Sequence, residues 1–139
     1  MVISICSFVY FSEINLTLSY NDARSHLNIG RRVVEGLKPG LAQLGSVWLP
    51  LTHLLMAPTI WNDTMWHTGL AGALQSMLAF IVSGLLISTI LNRFGVNRFG
   101  QFVAVLIFAS NLNILYLQST AMTELMLLVT MTEIGRAHV

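Results

Sequence analysis

The stretch that decides the fold class is Gly69–Leu91, GLAGALQSMLAFIVSGLLISTIL. It carries no charged residue, and at 1.5 Å per residue a helix of this length reaches roughly 34 Å, enough to cross a hydrocarbon core. Gly69, Ala71, Gly72, Ala73, Ser76 and Gly84 are small side chains of the kind that let helices approach closely. The sequence therefore predicts a membrane helix over 69–91.

The composition of the whole chain points the same way. Apolar residues make up 55% and charged residues only 9% of 139 positions, and the mean hydropathy is +0.71. A water-facing domain usually has about a quarter of its residues charged, so the apolar excess calls for another solvent. The net charge of +1 comes with no basic run, which argues against nucleic acid as a partner. Cys6 is the single cysteine, so neither an intrachain disulfide nor a cysteine-based zinc site can form.

Outward from 69–91, the remaining segments follow. Residues 1–12 read as the remnant of a first span, too short to cross alone. Residues 13–68 read as an extracytoplasmic loop holding amphipathic helices. One helix is predicted over Ala23–Leu37, with Leu27, Val34 and Leu37 near one face and Arg24, Asn28, Arg31 and Glu35 on the other side. A second apolar stretch, Leu41–Trp61, places Leu44, Val47, Trp48, Leu51 and Leu55 at helical spacing, in a segment suited to a membrane surface. Residues 92–100 form a cytoplasmic connector with Arg93 and Arg98. Residues 101–119 are predicted as a second span, with Asn111 and Asn113 turned toward protein. Residues 120–132 begin a truncated third span. Ile134–Val139 (IGRAHV) is the translation of ATC GGA AGA GCA CAC GTC, a stretch used in sequencing adapters. The natural chain is accordingly expected to end near Thr132, with 133–139 carrying no function.

The predicted architecture is thus all-α: a polytopic helical membrane protein fragment with amphipathic juxtamembrane helices in its first extracytoplasmic loop. Positive charge does not orient it, because the long loop holds more basic residues and the connector holds them more densely. Parity does place Asp22 and Glu124 on one side, whichever side that is.

These two acids are the main candidates for chemistry. Asp22 precedes the predicted amphipathic helix, where it reads either as an N-cap or as a general base. Glu124 reads as a helix-start acid or as part of a site shared with Asp22. His26, His53 and His67 match no metal-binding pattern. Asp63 and His67, four apart, could meet on a helix. Trp48, Trp61 and Trp66 read as interfacial aromatics, and Asn15-Leu16-Thr17 and Asn62-Asp63-Thr64 fit the glycosylation-acceptor pattern.

Three segments in order, Tyr20-Asn21-Asp22-Ala23-Arg24, Val47–Leu55 and Gln118–Glu124, resemble the N-terminal part of GT-C membrane glycosyltransferases. The nearest branch is that of protein mannosyltransferases and aminoarabinose transferases. The resemblance covers residues 10–131 and departs at Ala23, where many relatives carry a second acid. It implies transfer of a sugar from a polyprenyl-phosphate donor to a lipid, glycan or protein acceptor, by an enzyme of which this piece alone is inactive. Asp22 would be the catalytic base, with Arg24, Glu124 and His53 binding donor or acceptor. The metal is left open, with a divalent cation as one cofactor option. Its partners would be the donor and the lipid bilayer, and its place the bacterial cytoplasmic membrane with the first loop outside. The competing reading is a small helical membrane protein or transporter fragment without catalytic activity.

Overall fold

The computed structural model describes residues 1–44, 48 and 50–138. Among them the chain is entirely helical: α1 (Val2–Glu13), α2 (Asn21–Val34), a short 3-10 turn (Leu41–Gln43), α3 (Leu51–Ile60), α4 (Asp63–His67), α5 (Leu70–Arg93), α6 (Arg98–Ala109), α7 (Leu112–Gln118) and α8 (Glu124–Ala137). α5, about 36 Å long at 1.5 Å per residue, is the central post. α8 and α6 pack along it, α3 and α4 cover its start, α2 lies on α3, and α1 lies on α7.

Several boundaries follow from local chemistry. Asn62, Asn97 and Asn111 each precede a helix, and each side-chain carbonyl accepts a backbone N–H of the first turn, from Met65, Gly100, and Asn113 with Ile114. Gly69, at φ +81°, makes the left-handed step from α4 into α5. A side chain there would also meet Leu18 Cδ2 at 2.9 Å.

Two apolar clusters hold the helices together. Ala23, Leu27, Met56, Ile60, Ala71 and Ala121 form the first, joining α2, α3, α5 and the turn before α8. Ala79, Phe80 and Leu125 centre the second, with Phe108 of α6 stacked on Phe80 at 5.3 Å. Serine and glutamine side chains tie α1 to α7. Ser4 Oγ donates to Gln118 Oε1 at 2.6 Å, and Gln118 Nε2 returns to Ser4 O at 3.1 Å. Ser7 Oγ reaches Leu115 O at 2.9 Å.

This architecture keeps the all-α expectation and corrects the polytopic membrane one. Among the described residues only Leu70–Arg93 is by itself long and apolar enough to cross a membrane, and 56% of its most apolar window is buried inside the fold. The expected second span is broken: α6 and α7 meet at a 67° bend. The reason is Asn111, which is exposed and caps α7 instead of facing protein as expected; Asn113 is exposed as well.

The expected extracytoplasmic loop is also corrected. Its helices supply Ala23, Leu27, Met56 and Ile60 to the first core cluster, so 13–68 packs into the body of the fold. With that packing the assignment to a bacterial cytoplasmic membrane, first loop outside, loses its structural basis. The buried face of α2 is Ala23, His26, Leu27, Ile29 and Gly30, while Val34 and Leu37 are exposed. On α3 the buried positions are Thr52, His53, Met56 and Ile60, with Leu51 and Leu55 outside. Val47, placed on the same stripe by the sequence reading, lies outside the described residues.

Candidate functional site

His26 and His53 are the most deeply buried ionisable side chains among the described residues, at 1% and 2% exposure. α2 and α3 present them to each other, and His26 Nδ1 lies 3.0 Å from His53 Nε2. One ring must donate and the other accept, so at least one of the two rings is neutral. Trp48 tilts over His26 at 4.8 Å between ring centres. Burial pushes the His26 pKa down, and the negative charge of Asp22, one turn earlier on α2, partly offsets this. The cluster therefore runs from an exposed acid, through one buried imidazole, to a second.

The four residues singled out from the sequence fall differently. His53 meets the His26 ring directly, whereas Asp22 acts on His26 through its charge. Asp22 sits inside the first turn of α2 and does not cap it; Tyr20 holds the cap position, without a side-chain hydrogen bond. Arg24 turns away, donating from Nε to Leu18 O at 2.9 Å. Glu124 is exposed, opens α8, and makes no hydrogen bond or ion pair among the described residues. Ala23 and Ala121 share one core cluster, so the two acids flank that cluster without bonding to each other.

Two groups were missed. His26 had a signal in its four-residue spacing from Asp22, which puts both on one helical face. Arg31 had none, since its partners are distant in sequence. Its Nη1 donates to Ile60 O at 2.9 Å and Trp61 O at 2.8 Å, at the end of α3. Its Nη2 pairs with Asp63 at 2.6 Å and with Glu35, and its guanidinium lies 5.0 Å over the Trp66 ring. Asp63 thus pairs with Arg31 rather than with His67.

Among the described residues no three His, Cys, Asp or Glu side chains converge so as to hold a metal ion. Comparison with known protein families, with curated proteins and with solved structures finds no match to the chain. The resemblance to GT-C glycosyltransferases is therefore corrected. No family or relative carries it, and the multi-span frame it requires is replaced by a helical bundle in which, among the described residues, one helix is by itself long enough to span. Sugar transfer from a polyprenyl-phosphate donor, and the donor and bilayer as partners, fall with it.

What remains on the surface is apolar. Leu74, Leu78 and Leu85 stand out from α5 at 40%, 62% and 64% exposure, on the side of the helix turned away from Ser76 and Ala79. Meanwhile the fully buried set contains more polar than apolar side chains among the described residues. This reverses the usual order, in which large apolar groups fill the interior.

Proposed function

We propose that this chain is a non-catalytic helical association module that pairs with a second copy of itself along α5. The observation that carries the reading is the stripe Leu74, Leu78 and Leu85, completed by half-buried Ile81. Its spacing of four, three and four residues is that of a helix–helix seam, where each side chain inserts between those of the facing helix.

Surface area supports the same reading. A monomer of 15.4 kDa is expected to expose about 7,200 Å², whereas this chain exposes 8367 Å². The excess of roughly 1,200 Å² compares with the ~800 Å² that each partner hides in a stable interface. A second copy fits better than a charged partner, because α5 has no charged residue before Arg93 to select one.

Sedimentation equilibrium of the full chain tests this, with and without Leu74→Gln and Leu78→Gln together. The expected result is a wild-type dimer at micromolar concentration and a double variant that dissociates at least ~100-fold more readily, since four leucines leave the seam. A wild-type monomer would overturn the proposal. So would a chain that partitions into lipid vesicles through the same leucines and does not pair in solution.

A further inference from the structure

A cleft of about 440 Å³ opens between α5 and α6, within the size range of small-molecule sites. Phe80, Ile81 and Leu85 of α5, Phe102 and Val105 of α6 and Ile3 of α1 are among its lining, and so is Arg98. The polar side chains of the wall are already engaged. Ser88 Oγ donates to Gln101 Oε1 at 3.1 Å, and Gln101 Nε2 donates to Asn92 Oδ1 and Val96 O at 3.2 and 2.7 Å.

Arg98 is different: it is exposed and makes no hydrogen bond or ion pair among the described residues. The cleft thus offers a largely apolar trough along the helix from Phe80 to Ser88, about 12 Å by helical rise, with the Arg98 guanidinium on its lining. We propose that this cleft binds a free medium-chain carboxylate, its alkyl chain lying between α5 and α6 and its head group paired with Arg98. The planar fork of a guanidinium matches a carboxylate in two parallel hydrogen bonds. A bare alcohol lacks the charge to use it, and a cationic amphiphile is repelled.

Calorimetric titration of the full chain with decanoate, decanol and decyltrimethylammonium tests this proposal. The cleft shares Ile81 and Leu85 with the association stripe, so each titration is run on the wild-type chain and on the Leu74→Gln, Leu78→Gln variant, which separates a failure to bind from a cleft covered by a second copy. Decanoate is expected to bind saturably, the ammonium compound not at all, and Arg98→Gln to weaken decanoate about tenfold or more. Gly84→Leu, which places a side chain toward Val105, is expected to abolish binding by filling the trough. Equal affinity for decanol and decanoate, an unchanged affinity in Arg98→Gln, or no saturable binding would each overturn the proposal. Should Gly84→Leu fail to fold, Arg98→Gln still decides, because that side chain is on the surface.

Discussion

Gly72→Ala probes a close approach between α5 and the turn before α8. α5 meets the turn before α8 at Gly72, where an added Cβ would overlap the Ala121 methyl group and lie 2.8 Å from the Ala121 main chain, with Met56 Cε at 3.4 Å. Ala121 and Met56 are both 0% exposed, and one of the obstructing atoms is backbone, so a rotamer change cannot relieve the overlap. Overpacking of this kind costs about 1–3 kcal/mol, while Gly to Ala inside a helix gains about 1 kcal/mol. The net expectation is a loss of up to ~2 kcal/mol relative to the wild-type chain, and of about 1–3 kcal/mol relative to a helix glycine replaced where there is room. Gly84→Ala is the matched control: its Cβ would meet Val105 Cγ1 at an ordinary 3.7 Å, so the helix gain should stand alone. Urea unfolding followed by circular dichroism gives both values. Adding Ala121→Gly to Gly72→Ala should recover part of the loss and not all, because the main chain at position 121 still stands in the way. If Gly72→Ala is as stable as Gly84→Ala, the packing of α5 on α8 described above is wrong.

Two further outcomes follow from the buried polar groups. Because burial holds the His26 pKa below its ordinary 6.5, the folded chain takes up a proton less readily than the unfolded one. Stability should then be full above about pH 6.5 and fall as the pH drops toward the folded pKa. Asp22→Asn removes the charge that partly supports the imidazolium and should deepen this acid loss; His26→Gln should flatten it, as read from unfolding midpoints across pH. Arg31→Met should destabilise the fold by about 1.5–3 kcal/mol, the usual range for hydrogen bonds to a charged group. Arg32→Met, on an exposed neighbour, should change thermal unfolding little.

How much of this was legible in the sequence depends on the kind of signal each segment carries. The charge-free run from Gly69 to Leu91 announced a long helix, and α5 covers Leu70–Arg93. What hydropathy does not encode is the identity of the apolar neighbour. Ala73, Ala79 and Phe80 lie against other helices while Leu78 and Leu85 do not, yet all five contribute alike to a span score. The break between α6 and α7 was written in Asn111, because a short polar side chain that can bond the next turn's N–H groups competes with continuing the helix. Its neighbours' apolarity masked that signal.

The candidate site was legible only in part, for a related reason. Asp22 was picked out as the acid before an amphipathic helix and matched with distant Glu124, but its nearest structural consequence is on His26, one turn along the same helix. His53 was picked out through a motif, yet the feature that matters is its 3.0 Å approach to a ring 27 positions earlier. Arg31 shows the limit most clearly. Helical spacing assigned it to the outer face of α2, but its guanidinium reaches the carbonyls ending α3 and the acid opening α4. Exposed carbonyls at a helix end need donors, and which arginine supplies them depends on how two helices cross. A face assigned from periodicity is therefore a statement about Cβ direction, and a side chain as long as arginine can undo it.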